Sequence, residues 1–243
     1  LGDVYKRQLY KYAQSPAFQV MLFAYSLDGA PVQVVDLMVP GAYLPQEVLR
    51  WLFDPDCVKH AYNAAFEWYC LSRYFKLSED EHHNGFSAAT WLQQWQCSML
   101  HGMYAGYPAG LDATGKALGL PQDQQKMSIG RSLVRYFCTP CTPTKSNGGR
   151  TRNLPHHDPE KWELFKKYNQ RDVEVEMSIQ KRLAKFPVPE QIWDEYHLDQ
   201  EINDRGIMLD MTVVENAIAF DEKSKSTLML QMQNPVSYTH LRA

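Results

Sequence analysis

The chain has 243 residues, of which 44% are hydrophobic and 12% aromatic, and its formal net charge is −3. This size and composition suit one well-packed domain and part of a second, and they exclude a fibre, a repeat array and a disordered tail. No apolar run approaches the roughly 20 residues of a membrane-spanning helix, so we expect no membrane contact. Five irregularly spaced cysteines favour free thiols in a reducing compartment, which predicts a cytoplasmic protein.

Both ends of the sequence differ in character from the segments beside them. Residues 1–8 (LGDVYKRQ) and 235–243 (PVSYTHLRA) look like translated adapter sequence. We therefore expect the native reading frame to begin near Leu9 and to stop near Asn234, and we base no fold prediction on the two ends.

The first half of the chain predicts short strands that alternate with helices. The apolar run Phe18–Ser26 and the segment Val32–Leu37 flank Asp28-Gly29, a pattern typical of a hairpin. A short helix is predicted over Pro45–Phe53, and a third strand over Cys57–Tyr62.

From residue 63 onwards, helices dominate the prediction. Asn63 is expected to cap a helix that runs to Phe75, and Trp95–Leu100 predicts a buried strand or a strand-to-helix junction. Helices are predicted over Leu111–Leu118 and Ile129–Phe137, and loops over Ser78–Ala89 and Thr139–Pro155.

The clearest helix starts at Asp158-Pro159 and runs to about Lys185, with aspartate as the cap and proline as the first helical residue. Pro187 and Pro189 then indicate a domain boundary. Further helices are predicted over Glu190–Asp204 and Thr212–Met232. The sequence thus predicts an α/β domain that leads into a helical region.

Two acidic residues interrupt otherwise apolar helix faces. Asp172 and Tyr168 lie one turn apart on the stripe that Phe165, Ile179 and Leu183 form. Glu67 lies in a helix that is apolar nearly all round. These positions have a structural explanation: Asp172 can form a hydrogen bond to nearby backbone, and Glu67 can interact with the helix dipole. They also have a functional explanation, in which the hard carboxylate oxygens bind Mg²⁺ or Mn²⁺.

A basic segment adds a second functional signal. From Gln124 to His157 the chain has no Asp or Glu, but it carries six basic residues: Lys126, Arg131, Arg135, Lys145, Arg150 and Arg152. Such a segment on an acidic protein suits a phosphate backbone, although a solvated loop with chance clustering explains it equally well.

The acidic residues occur in two recognisable motifs. Asn63-Ala64-Ala65-Phe66-Glu67 resembles the second motif of the Asp-Glu-Asp-Asp exonuclease superfamily, with Glu where Asp is usual, and Tyr168-x3-Asp172 resembles its third motif. The flanking stretches YNAAFEWYCLSRYF, LHGMYAGYPAGLDATGKALGL and GGRTRNLPHHDPEKWELF resemble the proofreading domains of family A DNA polymerases of phage type. The segment Ile202–Asp210 resembles the beginning of their polymerase region.

This resemblance implies a ribonuclease H-like, three-layer α/β fold with a mixed sheet. It assigns residues 9–186 to a 3′→5′ exonuclease domain without its first strand and motif, and 187–234 to the start of the polymerase region. It implies hydrolysis of DNA 3′ ends with two Mg²⁺ or Mn²⁺ ions. The implied partners are a single-stranded DNA 3′ end and, in the longer parent, primer-template DNA, bound by a monomer in the cytoplasm of a bacterial or phage-infected cell.

The resemblance also implies roles for individual residues. Asp172 is expected to bind metal directly, Glu67 to hold the second metal through water, and Tyr168 to orient the attacking water. The expected substrate-binding residues are Asn63 and Phe66, together with Lys145, Arg150 and Arg152 in the basic loop.

Three other interpretations remain open. A ribonuclease D-like or Werner-like exonuclease acts on RNA, and a degenerate domain only binds DNA. Cys138 and Cys141, with His156 and His157 downstream, also suggest zinc, but two adjacent histidines rarely point the same way.

The absence of the first motif generates a direct prediction. Asp-x-Glu is expected upstream of Leu9, and without its two carboxylates the affinity for metal should collapse. We expect the purified chain, made as printed, to show no appreciable Mg²⁺-dependent 3′→5′ degradation of labelled single-stranded DNA. Robust degradation of that substrate would contradict this prediction.

Overall fold

The structure is a computed structural model that describes residues 12–77, 88–121 and 129–239.

Strands β1 (Leu22–Tyr25) and β2 (Gln33–Asp36) form an antiparallel hairpin. The connection contains Asp28 and Gly29, with φ of 46° and 79°. Glycine adopts this backbone region readily and aspartate occasionally, so the two residues suit a turn. The predicted hairpin is confirmed.

A second pair of strands, β3 (Lys59–Ala61) and β4 (Trp95–Cys97), is parallel, with Lys59 opposite Trp95. β4 leads directly into a helix at Ser98, which confirms the predicted strand-to-helix junction. We expected one mixed sheet. Within the described ranges the four strands instead form two separate two-stranded sheets, because no described strand of one pair forms hydrogen bonds with a strand of the other pair.

The helices of the first two-thirds of the chain are α1 (Gln46–Leu52), α2 (Ala64–Phe75), α3 (Ala88–Leu92), α4 (Ser98–Tyr104), α5 (Leu111–Ala117) and α6 (Gly130–Cys138). Four of them, α1, α2, α5 and α6, lie close to predicted helices. Helix α3 was not predicted, and α4 continues the predicted strand-to-helix junction. Most of the predicted loop Ser78–Ala89 lies outside the described residues, and its last two positions belong to α3. No helix or strand longer than the 3-10 turn Pro155–His157 interrupts the stretch between α6 and residue 158, as predicted.

The prediction that the Asn63 side chain caps α2 was wrong. Asn63 has a left-handed conformation (φ 72°), and its side chain makes no capping hydrogen bond. Side-chain capping needs an extended backbone at that position, which Asn63 does not adopt. Instead, its carbonyl oxygen accepts a hydrogen bond from the Phe66 N–H at 2.8 Å.

Helix α7 (Pro159–Leu183) is the long helix that the sequence predicts. Asp158 Oδ1 accepts a hydrogen bond from the Lys161 N–H at 3.0 Å, which confirms the predicted cap. The buried face includes Phe165, Ile179 and Leu183, as the apolar stripe predicts. Both strands of the hairpin and helices α4, α5 and α6 contact α7, so it is the central support of this part of the protein.

The last part of the chain is helical, as predicted. Helix α8 (Glu190–Arg205) follows Pro187 and Pro189, and α9 (Met211–Thr239) follows Gly206. The chain forms two compact units, residues 1–200 and 201–243. No helix in the described ranges is both long and apolar enough to cross a membrane.

The core around α7 provides a stability prediction. Ile179 is fully buried and packs with Leu120, Val175 and Leu183. Replacement of Ile179 by Ala leaves a cavity and should lower the free energy of unfolding by about 2–5 kcal/mol, whereas Val should lower it by about 0.5–1.5 kcal/mol. Urea denaturation measures both. A Lys181→Ala change, on the exposed side of the same helix, should have little effect on the free energy of unfolding. Equal losses of stability for Ile179→Ala and Lys181→Ala would contradict the burial of Ile179.

Candidate functional site

The structure brings Glu67 on α2 into the electrostatic range of Asp172 on α7. The two residues are far apart in sequence, yet the negative charge of Asp172 contributes to the raised pKa of Glu67. Tyr168 and Asp172 lie one turn apart on α7 and so share one side of that helix. Two acidic residues from distant stretches of the chain thus lie within electrostatic range of each other.

Glu67 lies in a costly environment for a carboxylate. The side chain as a whole is half-buried, but its Oε2 atom is buried and has no hydrogen-bond partner among the residues that the structure describes. The pKa of Glu67 is raised to about 8, chiefly by burial and next by the charge of Glu176. A hydrogen bond from its own backbone N–H lowers this pKa, and the charge of Asp172 adds the smallest raising contribution. A group that provides positive charge would relieve this repulsion.

Glu176 is an acidic residue of this cluster that our sequence analysis missed. It lies one turn beyond Asp172 on α7, and only 9% of its surface is exposed. Ser98 Oγ donates a hydrogen bond to Glu176 Oε1 at 2.8 Å, and the Tyr62 backbone N–H also donates to the carboxylate. Burial nevertheless raises the pKa of Glu176 to about 7. The four-residue spacing of Tyr168, Asp172 and Glu176 was the available signal.

The Tyr168 ring is held by apolar neighbours. Only 8% of the residue is exposed, and its ring stacks on Phe165 with centroids 6.2 Å apart and planes 7° apart. Leu133 and Phe137 of α6 belong to the same buried cluster. Packing therefore fixes the ring of Tyr168 on the side of α7 that carries Asp172.

The described carboxylates fit a divalent metal site only in part. Oxygen ligands suit Mg²⁺ or Mn²⁺, and the buried Oε2 of Glu67 is a ligand atom that lacks another partner among the described residues. However, no group of three or more His, Cys, Asp or Glu residues within 12–77, 88–121 and 129–239 is arranged to hold a metal ion. Glu67 and Asp172 therefore supply at most part of a ligand set.

Asn63 and Phe66 lie at the start of α2, close to Glu67 in sequence. Asn63 is exposed, and Phe66 is 41% exposed. The Phe66 ring stacks on Tyr12, with centroids 6.1 Å apart and an angle of 25° between the planes. An exposed aromatic ring at this position is available to contact a nucleobase.

The three basic residues of the predicted substrate site have different surroundings. Lys145 is exposed. Arg150 is tied to its own loop, since its Nε donates to Asn153 Oδ1 at 2.9 Å. Arg152 lines a cavity of about 430 Å³ together with Tyr12. Only Lys145 is therefore freely presented to a partner without rearrangement of a described contact.

Two of the four candidate zinc ligands, Cys141 and His157, make other hydrogen bonds. Cys141 Sγ donates to the Arg150 carbonyl oxygen at 3.3 Å. His157 Nδ1 accepts a hydrogen bond from the Leu154 N–H at 2.8 Å. Trp91, Trp95 and Phe137 are buried in the core and are therefore not available to stack on nucleobases.

The chain is similar to a DNA polymerase of a bacteriophage. It is 42% identical over 246 residues to the DNA polymerase of Bacillus phage SP02. The similarity covers 99% of this chain and 36% of the relative, so the chain spans about one third of that protein's length. No family model and no solved structure matches the chain.

The raised pKa of Glu67 predicts a pH-dependent stability. The folded-state pKa of about 8 exceeds the ordinary 4.5, so folding favours the protonated form. The stabilisation is complete below about pH 4.5 and is lost as the pH rises through about 8. In the presence of EDTA, the urea midpoint of the wild type should therefore fall relative to that of Glu67→Gln over this interval.

Glu163→Gln is the matched control, because the Glu163 side chain is 63% exposed. Its urea midpoint should stay parallel to that of the wild type across the same pH interval. Parallel curves for Glu67→Gln as well would contradict the burial of that carboxylate.

Proposed function

We propose that this chain is the 3′→5′ proofreading exonuclease region, with the start of the polymerase region, of a family A DNA polymerase of phage type. The meeting of Glu67 with Asp172, one helical turn from Tyr168, is the observation that supports the nuclease part. The similarity to the phage SP02 DNA polymerase supports the polymerase part.

The proposed reaction is hydrolysis of the last phosphodiester bond of a DNA strand. Water adds to phosphorus, the bond between phosphorus and the 3′ oxygen breaks, and a nucleoside 5′-monophosphate leaves the shortened strand. Two bound Mg²⁺ or Mn²⁺ ions would supply activation of the water and stabilisation of the leaving oxygen. Asp172 and Glu67 are the described residues that would hold them.

Tyr168 has the proposed role of orienting the water. A tyrosine hydroxyl both donates and accepts hydrogen bonds, so it can hold a water molecule in a fixed orientation. The stacking of its ring on Phe165 restricts where the hydroxyl lies. Such pre-positioning lowers the entropic part of the barrier.

DNA is the proposed substrate in preference to RNA. The relative is named as a DNA polymerase, and the stretch Ile202–Asp210 resembles the beginning of a polymerase region. Phe66 is proposed to contact the terminal base, and Lys145, Arg150 and Arg152 the phosphate backbone. Salt should weaken this electrostatic contribution.

Replacement of Asp172 by Ala tests the proposed site. The assay uses a polymerase-length protein in which residues 9–234 of this chain replace the matching part of the phage SP02 enzyme. Degradation of a 3′-labelled single-stranded DNA should fall by more than about 10²-fold, because even the partners of metal ligands contribute about 10–100-fold. Tyr168→Phe should reduce the rate by a smaller factor, and primer extension should persist in both variants.

Asp112→Ala is the control, because Asp112 is an exposed aspartate that pairs with Lys116 on α5. It should leave the degradation rate unchanged. Undiminished degradation by Asp172→Ala would eliminate the proposed site and favour a domain that only binds DNA. Faster hydrolysis of a matched RNA strand would favour the RNA exonuclease interpretation.

A further inference from the structure

Gly130, the first residue of α6, lies against the ring of Tyr168. A Cβ atom built on Gly130 would lie 2.0 Å from Cε2 of that ring, 2.5 Å from Cδ2 and 2.6 Å from Cζ. Carbon atoms that are not bonded to each other attract only at about 3.5–4.0 Å and repel strongly at such short distances. The ring of Tyr168 therefore occupies the space that any side chain at position 130 would need.

The ring has little freedom to move away from Gly130. Tyr168 is 8% exposed and stacks on Phe165, and Leu133 and Phe137 of α6 pack in the same cluster. Interiors of this kind are close-packed and do not absorb an added methyl group without displacement of neighbours. A side chain at position 130 would therefore shift the Tyr168 ring or the two helices.

The backbone of α6 gives no other reason for glycine at this position. Gly130 is absent from the described residues with positive φ, so its conformation suits any L-residue. The close approach of the Tyr168 ring is thus the feature that requires a residue without a side chain.

We propose that Gly130 is a positioning residue for Tyr168. The missing side chain sets the depth of the phenol ring beside α6, and it thereby places the Tyr168 hydroxyl on the side of α7 that carries Asp172. The consequence for hydrolysis rests on the proposed function, whereas the positioning itself does not.

Gly102 provides a matched control. It is also a buried glycine within a helix, but a Cβ atom there would meet its nearest neighbour, Thr114 Cγ2, at 3.6 Å, which is ordinary contact. Gly102→Ala should therefore be tolerated. The comparison separates the loss of space at Gly130 from the general effect of a glycine-to-alanine change in a helix.

The positioning is tested on this chain by urea denaturation. Gly130→Ala should lower the unfolding midpoint, and Gly102→Ala should not. In a Tyr168→Ala background the ring is absent, so Gly130→Ala should no longer lower the midpoint. An equal loss in both backgrounds, or a Gly130→Ala midpoint that matches Gly102→Ala, would overturn the proposal.

Fluorine NMR of 3-fluorotyrosine-labelled chain reports the position of the ring directly. The Tyr168 signal is assigned by its loss in Tyr168→Phe. Gly130→Ala should shift that signal and Gly102→Ala should leave it in place. An unshifted signal in folded Gly130→Ala would contradict the positioning role. If the single variant does not fold, folding of Gly130→Ala/Tyr168→Ala supports the proposal, and failure of this pair when Tyr168→Ala folds would overturn it.

The consequence for hydrolysis is measured in the polymerase-length protein. Gly130→Ala should lower kcat for 3′ degradation by up to about 10²-fold with little change in KM, as displacement of a catalytic group does. In a Tyr168→Phe background it should cause no further loss. If Gly130→Ala lowers kcat equally in the wild-type and Tyr168→Phe backgrounds, the proposal that Gly130 acts through the Tyr168 hydroxyl is overturned. If Asp172→Ala leaves degradation intact, the proposed function fails, but the unfolding and NMR results still decide the positioning.

Discussion

The burial of acidic side chains beside one another is the physical constraint on which the proposed site depends. Glu67 from α2 lies within the electrostatic range of Asp172 and Glu176 from α7, and this raises its pKa beyond the effect of burial. Such an arrangement costs stability, because each carboxylate loses hydration and faces others of like charge. It persists because α7 is tied into the fold by the packing of Ile179 and its neighbours and by the hydrogen bond from Trp162 Nε1 to Asp36 Oδ2 at 2.7 Å.

The surroundings of the carboxylates divide into a polar and an apolar part. Ser98 and the Tyr62 backbone hold Glu176 by hydrogen bonds, while Tyr168 lies among apolar rings and against Gly130. The polar part fixes an acid, and the apolar part fixes a phenol, on the same helix. Hydrolysis of a DNA 3′ end, as proposed, needs both an anionic pocket for divalent cations and a neutral group that positions water.

The sequence predicted those features that depend on local pattern. The hairpin around Asp28-Gly29, the cap at Asp158 and the apolar stripe of α7 follow from turn preference, capping and helical periodicity. Features that depend on tertiary contact were missed. In the sequence, Glu176 is one of several charged residues on a helix, and only its contact with Ser98 distinguishes it. Gly130 is likewise an ordinary glycine in the sequence, and only the structure shows the Tyr168 ring against it. Asparagine favours both a left-handed backbone and a capping role, so the sequence alone could not decide between the two at Asn63.

The measurement that tests the central claim most directly is the pKa of Glu67, followed by carbon-13 NMR of glutamate side chains in metal-free buffer. Glu67→Gln assigns the signal. The wild-type carboxyl should titrate near 8, and its pKa should fall in Asp172→Asn and further when Glu176→Gln is added, because each change removes a nearby negative charge. A Glu67 pKa near the ordinary 4.5, or one that both substitutions leave unchanged, would show that the acidic residues do not share one site.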